Sequence, residues 1–331
     1  MALMVAQSVL GAPATADEPA TKTLALEVSR MGWIAYSAKT DRGDWDLFVM
    51  RPDGTARHKL TDTPEFNEAG VRFSPDGKRM LYYRLARTEP VANNTYGRFD
   101  LVIANADGQT PIMFGAGYPW ASWGPDGTQI ACLTPKGIQI VDVSTRKAVR
   151  ELPRKGIVQQ LVWSPDGQWF LGTANGLGPY WNIGRLNAAT GEINPVSEVD
   201  RYNCTPDWAP DSREVVYARG IIPEKGGRAE MWVAGGDGKE KHLLYAEKER
   251  HVYGACVSPD GQYLLFTRSD DDMGDKDSSQ ATMAIIRRSD TPMAGGVGAA
   301  KELPEAKHGP RLDLGQGWEP HWVRVELRFD P

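Results

Sequence analysis

A short phrase built around Pro-Asp recurs five times along the chain. The copies are FSPDG at 73–77, WGPDG at 123–127, WSPDG at 163–167, WAPDS at 208–212 and VSPDG at 257–261. Their prolines are 50, 40, 45 and 49 residues apart. This period is that of a four-stranded β-propeller blade, in which each repeat buries its apolar faces against its neighbours. Internal repetition therefore constrains the fold more than any other feature of the sequence.

Each phrase has the chemistry of a tight turn between two strands. Proline presets φ for the first corner, aspartate bonds nearby backbone, and glycine tolerates positive φ. Runs rich in β-formers follow directly, as at Met80–Tyr83 and Tyr263–Phe266, and predict second strands. Third strands are predicted at runs such as Asp100–Ala104 and Glu230–Val233, with a short fourth strand at the outer edge.

Counting strands instead of phrases gives six blades. The first blade, with strands at Trp33–Tyr36, Asp46–Met50 and His58–Thr61, lacks an inner strand of its own. At the other end of the chain, Glu319–Trp322 resembles Thr205–Trp208, which opens an earlier repeat. We therefore predict an all-β, six-bladed β-propeller whose ring is closed by the C-terminal inner strand pairing with the N-terminal strands. Closure of this kind removes exposed strand edges.

The sequence predicts one folded domain with two short terminal segments. The propeller is expected at 31–325, after a signal-like or disordered leader at 1–30 and before a tail at 326–331. Residues 2–10 are apolar, and Ala14-Thr15-Ala16 has the form of a signal-peptidase site, although a positively charged start is missing. We expect a periplasmic or secreted protein.

Composition excludes several partners. The net charge of −5 offers no basic footprint for nucleic acid, and no apolar run is long enough for a transmembrane segment. Three cysteines do not make a disulfide framework, and Cys132 and Cys256, which stand in predicted strands, are interpreted as small core residues. We expect a monomer.

Long insertions point to one face of the propeller. The loops that precede the inner strands share a face, here called the insertion face, with the loops between second and third strands. The Pro-Asp-Gly turns lie on the opposite face, the turn face. The insertions at 84–99, 175–183, 220–229 and 269–282 all fall on the insertion face, and loop length that closure does not need favours binding.

Polar and aromatic side chains on the insertion face are the predicted ligand-binding residues around the funnel, the mouth of the central channel. They are Asn67, Tyr118, Tyr180, Trp181, Tyr202, Asn203, Tyr253 and Trp318. Aromatic rings can stack against sugars or an inserted peptide, and amides can bond hydroxyls or peptide groups. The alternative is that the aromatic residues anchor loops over the blade edges.

Four residues are candidates for catalysis: Glu68, His251, Glu319 and His321. A divalent metal held by His251, His321 and Glu319 is chemically sensible, because imidazole and carboxylate together suit manganese, iron or zinc. The alternative is that each histidine forms hydrogen bonds within the funnel wall. Glu68 and Glu319 would lie in neighbouring blades after closure, where their separation would decide whether glycoside hydrolysis is feasible. No cofactor is otherwise implied.

The repeats resemble those of TolB-type propellers. The resemblance rests on the Ser-Pro-Asp-Gly turns and on DLFVMRPDG at 46–54 followed by KLT at 59–61, and it covers roughly residues 31–325. It implies a periplasmic envelope protein, although TolB carries an α/β domain ahead of its propeller, and we expect that domain to be absent here. Similar propellers occur in oligogalacturonate lyases, where funnel histidines hold a metal. They also occur in prolyl oligopeptidases, whose hydrolase elbow Gly-x-Ser-x-Gly this chain lacks.

Two functions follow from these patterns. The first is an exported, non-catalytic binding or scaffold module that takes a peptide, an envelope protein or a glycan at its funnel. The alternative is a carbohydrate-active enzyme, either a polysaccharide lyase or a glycoside hydrolase, with or without a metal.

Overall fold

A computed structural model describes residues 18–91, 99–220, 228–247, 250–270, 278–290, 309–323 and 325–328. Its strands form six four-stranded antiparallel sheets, each a propeller blade. The first twelve strands are β1 (Trp33–Lys39), β2 (Trp45–Met50), β3 (His58–Lys59), β4 (Phe66–Phe73), β5 (Arg79–Ala86), β6 (Asp100–Asn105), β7 (Ile112–Ala116), β8 (Ala121–Trp123), β9 (Gln129–Leu133), β10 (Ile138–Asp142), β11 (Ala148–Leu152) and β12 (Ile157–Trp163). The other twelve are β13 (Trp169–Ala174), β14 (Asn182–Asn187), β15 (Ile193–Pro195), β16 (Asn203–Trp208), β17 (Glu214–Arg219), β18 (Glu230–Gly235), β19 (His242–Tyr245), β20 (His251–Val257), β21 (Tyr263–Ser269), β22 (Thr282–Arg287), β23 (Arg311–Gln316) and β24 (Trp318–Val323).

The blades follow the chain in order. Blade 1 consists of β24, β1, β2 and β3, and blades 2 to 6 take the remaining strands four at a time. The inner strands β4, β8, β12, β16, β20 and β24 each contact the next one around the ring, and β24 contacts β4. The prediction of a six-bladed propeller is confirmed.

Closure by the C-terminal strand is also confirmed. Strand β24 pairs antiparallel with β1, with Ile34 opposite Trp322 and Ala35 opposite His321. Beyond β24, Leu327 is buried against blades 1 and 2, and Glu326 forms an ion pair with Arg51. This segment takes the place of the turn that follows every other inner strand.

The repeated turns have the conformation that their sequence demands. The last residue of each phrase has a φ between 62° and 79°. These residues are Gly77, Gly127, Gly167, Ser212 and Gly261. In three turns the serine hydroxyl donates to the aspartate two residues later, as Ser164 does to Asp166 at 2.6 Å. The aspartate therefore fixes the turn through local bonds.

One helix, α1 (Glu18–Val28), lies within the stretch that the sequence assigned to a leader. Its Leu24 and Val28 are fully buried in the apolar cluster between blades 1 and 6. Glu27 accepts bonds from Arg287 at 2.7 and 2.9 Å. The sequence did not predict this packed helix.

The other described helical segments are short 3-10 turns at Ser278–Gln280 and Arg288–Asp290. In the part of the chain that the structure describes, no helix is both long and apolar enough to cross a bilayer.

Candidate functional site

Each inner strand contains a backbone irregularity at the same place in its repeat. The residue five positions before each turn proline has a positive φ. Blade 1 has no turn proline, but Glu319 in its inner strand also has a positive φ. These six residues, here called the bulge ring, are Gly70, Trp120, Gln160, Thr205, Gly254 and Glu319, with φ between 48° and 67°. In five blades the pairing register shifts around this residue, and in blade 3 the residue directly precedes β8. Such bulges bend a strand and redirect the side chains that follow.

Side chains near the bulges connect neighbouring blades. The amide oxygen of Gln160 in blade 4 accepts a bond from the backbone N–H of Thr205 in blade 5, at 2.6 Å. The hydroxyl of Thr205 in turn accepts from the N–H of Gly254 in blade 6, at 3.1 Å. In blade 1, Ser37 accepts from the N–H of Gly70 at 3.1 Å. The bulges thus leave free backbone donors that the adjacent blade satisfies.

A second ring of side chains follows two residues after the first. Its members, here called the charge ring, are Arg72, Ser122, Val162, Asp207, Cys256 and His321. Two of them also connect blades: Ser122 accepts from the N–H of Trp163 at 2.9 Å, and Nδ1 of His321 accepts from the N–H of Phe73 at 3.2 Å. The tautomer of His321 is thereby fixed with its proton on the other ring nitrogen.

Both rings line a central cavity of about 350 Å³. Its walls are largely aromatic, from Tyr83, Trp120, Trp123, Trp163, Trp208 and Tyr253. Pro75, Pro125 and Pro165 also border it, so the cavity extends along the half of the channel that leads to the turn face. A volume of this size and an apolar wall with a few polar groups are typical of ligand-binding pockets.

The two tyrosines of the wall are neutral at physiological pH. Burial raises the pKa of Tyr83 and of Tyr253 well above the usual value, and the nearby Glu319 carboxylate raises both further. The hydroxyl of Tyr83 accepts a bond from the N–H of Ala121 at 2.5 Å. These phenols therefore support the wall and do not supply negative charge to the cavity.

Arg72 is the one charge-ring member with a guanidinium group. It is half-buried, and its Nη1 donates to the carbonyl oxygens of Val71 at 2.8 Å and Glu319 at 3.3 Å. Among the described residues, no carboxylate lies within ion-pair distance of Arg72. The carbonyl of Arg72 itself accepts a bond from the indole of Trp123 at 3.0 Å. The residue is thus held in place by neutral groups only.

Three of the residues that the sequence singled out line this cavity: Tyr253, Glu319 and His321. Glu319 belongs to the bulge ring and is 9% exposed. A Cβ atom added at Gly70 would lie 3.2 Å from its Oε2, so the carboxylate rests against the backbone of blade 2.

Five other predicted residues lie elsewhere, buried at the beginnings of the inner strands. Glu68 is fully buried and accepts bonds from Arg84 at 2.9 and 3.1 Å, so it is not paired with Glu319 at the channel. His251 is also buried, and its Nδ1 accepts from the N–H of Ala229 at 3.1 Å. Trp318 is 0% exposed and packs edge-on against Trp45 at 6.1 Å.

The side chains of the two asparagines among these five form hydrogen bonds with backbone groups. Asn67 accepts from the N–H of Trp45 at 3.0 Å and donates to the carbonyls of Arg87 and Glu89. Asn203 donates to several carbonyls in the loop before it, including those of Glu198 at 2.9 Å and Arg201 at 2.7 Å. Their amides hold the loops of the insertion face and do not point at the channel.

The remaining predicted residues lie outside the cavity lining. Tyr180, Trp181 and Tyr202 form an edge-to-face cluster, with ring centroids 5.0 Å apart for Tyr180 and Tyr202 and 5.7 Å apart for Trp181 and Tyr202. Trp181 is 41% exposed to solvent. Tyr118 donates to Gln139 at 3.3 Å within blade 3. The interpretation as loop anchors thus accounts for these contacts.

The metal site suggested by the sequence is not formed in the part of the chain that the structure describes. No three histidine, cysteine, aspartate or glutamate side chains are grouped there as metal ligands. His321 lines the cavity, but His251 is bonded to Ala229 at the beginning of its strand. The physical reason is that His251 precedes its bulge, whereas His321 follows one.

Sequence reasoning missed several residues of the cavity, including Arg72, Trp120 and Asp207. A signal for them existed, since each stands three or five residues before a turn proline. Aligning the repeats on that proline and reading the two columns would have found both rings.

Comparison with known proteins gives the fold class of this chain. No family model matches the sequence, and no curated protein matches it. TolB from Acinetobacter baumannii superposes with a TM-score of 0.59 at 16% identity, over 78% of this chain and 61% of that one. The chain therefore spans about three fifths of the length of that TolB structure. A nidogen/laminin complex matches with a TM-score of 0.56 at 9% identity, over 78% of this chain and 90% of that one.

An oligogalacturonate lyase in complex with manganese is a more distant match, with a TM-score of 0.47 at 14% identity over 77% of this chain and 70% of that one. The likeness to the TolB structure shows the fold of this chain. The protein is a six-bladed β-propeller of this architecture.

Proposed function

We propose that the protein is an exported, non-catalytic binding module whose ligand occupies the central cavity. The observation that carries the proposal is the cavity itself, with its volume of about 350 Å³ and its wall of aromatic and a few charged side chains. The ligand classes that fit are a peptide, an extended segment of an envelope protein, or a glycan. Aromatic faces can stack on sugars or apolar side chains, and charged groups can fix orientation.

The placement of the carboxylates and histidines supports binding over catalysis. Glycoside hydrolysis needs two carboxyl groups flanking one bond. Glu68, the expected partner of Glu319, is bonded to Arg84 within its own blade. Nδ1 of His321 accepts a hydrogen bond from the backbone N–H of Phe73. The first contact lies within blade 2 and the second joins blades 1 and 2, so Glu68 and Glu319 do not form a carboxylate pair at the cavity.

Titration of a ligand panel tests the proposal. Neutral and acidic oligosaccharides and short peptides would be added to the wild type and to Val162→Arg, while tryptophan fluorescence is recorded. Val162 lines the cavity, so a long charged side chain there would fill it. Val149→Arg is the matched control, because Val149 is 54% exposed on the outer strand β11. We expect saturable binding that Val162→Arg abolishes and Val149→Arg preserves.

The same samples separate a binder from an enzyme. Each bound ligand would be recovered and its mass compared with that of the starting material. Unchanged mass after prolonged incubation is the expected result. Cleavage products that disappear in Val162→Arg would replace the binding role by a carbohydrate-active one. Binding that is equal in all three proteins would place the ligand outside the cavity and refute the proposal.

Export is the second part of the proposal. It is supported by the small-x-small pattern at Ala14-Thr15-Ala16, in a segment that lies outside the described residues. Expression of residues 1–40 fused to a reporter that is active only after export would test it. Deletion of residues 2–10 should abolish the reporter signal, and an unchanged signal would refute a leader function.

A further inference from the structure

Three charged side chains line the cavity, and two of them, Arg72 and Asp207, form an opposed pair, while the third, Glu319, belongs to the bulge ring. Arg72 lies in blade 2 and Asp207 in blade 5, at equivalent positions of their repeats. Because six blades surround the channel in chain order, blades three steps apart face each other across it. A cation and an anion therefore stand on opposite walls of one cavity.

The cationic wall is built to receive a carboxylate. Arg72 is half-buried, and its guanidinium is bound by two carbonyl oxygens of the backbone. Those bonds orient the group, but they do not neutralise it. Guanidinium binds a carboxylate through charge-assisted bonds, and such bonds are about twice as strong as neutral ones. Glu319, in the other ring, rests against Gly70 instead.

The anionic wall is oriented as well. Oδ1 of Asp207 accepts a bond from the N–H of Trp208 at 2.8 Å, which fixes the rotation of the carboxylate. Between the two charged walls lie Trp120, Val162 and Trp163, which offer apolar surface to whatever spans the channel. A guest that matches this cavity carries a negative end, a positive end and an apolar middle.

We propose that the cavity binds a short peptide with free termini, whose carboxylate contacts Arg72 and whose ammonium contacts Asp207. This inference rests on the proposed binding function of the same cavity, and it adds the chemical class of the ligand. Three residues of extended chain span about 10 Å. A short zwitterionic peptide is therefore of the right scale for a cavity of about 350 Å³.

Calorimetric titration of the full chain with four forms of one tripeptide tests the proposal. The forms of Ala-Phe-Ala are unmodified, N-acetylated, C-amidated and blocked at both ends. We expect the unmodified peptide to bind, and each single block to weaken binding about tenfold or more, since each removes one charge-assisted contact. The doubly blocked peptide should bind most weakly.

Two variants assign each end of the peptide to a wall. In Arg72→Met the amidated and unmodified peptides should bind equally well, while acetylation still weakens binding. In Asp207→Asn the pattern should reverse, with acetylation losing its effect. Arg213→Met is the matched control, because Arg213 is exposed and its backbone N–H bonds only the turn aspartate Asp211. The wild-type comparison of the four peptides decides the question even if a variant fails to fold.

Two results would overturn this inference. One is binding of the doubly blocked peptide as tight as that of the unmodified one, and the other is no binding of any free peptide at about 10 mM, a concentration far above useful affinities. A panel ligand that is lost in Val162→Arg but has no zwitterionic character would leave the binding function intact and remove only the ligand class. If the wild-type protein bound no peptide or panel ligand in the cavity, both the binding function and the ligand class would be refuted.

Discussion

The two halves of the inner strands differ in what their polar side chains do. Before the bulge, Glu68, Asn203 and His251 are buried and bonded within the blade or to the adjacent loops. After it, Arg72 and Asp207 line the central cavity. Side chains alternate between the two faces of a strand, and one inserted residue exchanges the faces. For these five side chains, the bulge separates the ones that are bonded within the blades or to their loops from the ones that line the cavity.

We therefore expect substitutions in the first half of each inner strand to affect mainly the free energy of unfolding. Substitution in the second half should affect binding more than stability. The four predictions below test that division, in order of decreasing effect.

The largest effect is expected for Glu68→Ala. The substitution removes the partner of Arg84, whose side chain is only 15% exposed, and leaves a positive charge inside the blade. Breaking a buried ion pair in this way typically costs about 3–5 kcal/mol. The free energy of unfolding, measured by urea denaturation, should fall by about this amount.

Asp207→Asn is the comparison for Glu68→Ala on the cavity side of the bulge. The asparagine oxygen can still accept the bond from Trp208, so the free energy of unfolding should change by less than about 1 kcal/mol. Equal losses in the two variants would show that the bulge does not divide the strand as described.

Thiol reactivity provides a second test, because the cysteines lie on both sides of the division. Cys256 lines the cavity, whereas Cys204 precedes the bulge in β16 and Cys132 is buried in β9. Burial raises the pKa of Cys132 and of Cys204 to about 12. The thiolate is the reactive form, and at pH 8 only about one in 10⁴ of these thiols carries it.

Cys256 is only 5% exposed, but it borders the cavity, so we expect a thiosulfonate small enough to enter the cavity to modify Cys256 before the other two cysteines at pH 8. Between pH 7 and pH 9 the modification of Cys132 and Cys204 should rise about tenfold per unit, since both pH values lie below their pKa. Mass spectrometry of digests measures each site, with Cys256→Ser as the control. Modification of Cys132 ahead of Cys256 would mean that the cavity is closed to the reagent.

The blades and their closure could be predicted because their signals are local. A proline, an aspartate and a glycine in series fix a turn wherever they occur, and Trp33 to Met50 is strand-like without its neighbours. Helix α1 could not be predicted in the same way. Only Leu24 and Val28 are buried, and their apolar partners come from blades 1 and 6. An 11-residue helix of that kind is stabilised mainly by tertiary packing.

The candidate site was harder to predict than the fold. Trp318 and Glu319 are adjacent in sequence, yet Trp318 is fully buried and Glu319 lines the cavity. Which of two neighbours faces the channel depends on the bulge, and the residue types glutamate and glutamine do not by themselves indicate a positive φ, so only the alignment of the repeats marks these positions. Reading the polar residues from the beginning of each strand therefore selected several side chains that are buried in the blades and do not line the cavity.

Asn203→Ala tests the loops of the insertion face. Its amide donates to the carbonyls of Glu198 and Arg201, and the substitution leaves these acceptors without that partner. A lost buried bond of this kind costs about 1–3 kcal/mol. The midpoint of urea unfolding should fall accordingly, while ligand affinity at the cavity stays unchanged.

Asn194→Ala is the matched control for Asn203→Ala, since Asn194 is exposed on the outer strand β15. Its effect on the free energy of unfolding should lie within about 0.5 kcal/mol. A loss of cavity binding in Asn203→Ala, without any loss of stability, would instead assign this residue to the ligand site.

The smallest effect distinguishes two of the repeated turns. Asp166 accepts bonds from the hydroxyl of Ser164 and from the N–H of Gln168, whereas Asp211 accepts only from the N–H of Arg213, because alanine replaces the serine in its phrase. Asp166→Ala should therefore lower the free energy of unfolding by about 1 kcal/mol more than Asp211→Ala, the value of one hydrogen bond. Neither aspartate lines the cavity, so ligand affinity should be the same in the two variants. If Asp166→Ala weakened binding while its stability matched that of Asp211→Ala, the turn aspartate would belong to the ligand site, and the site would extend past the second half of the strand.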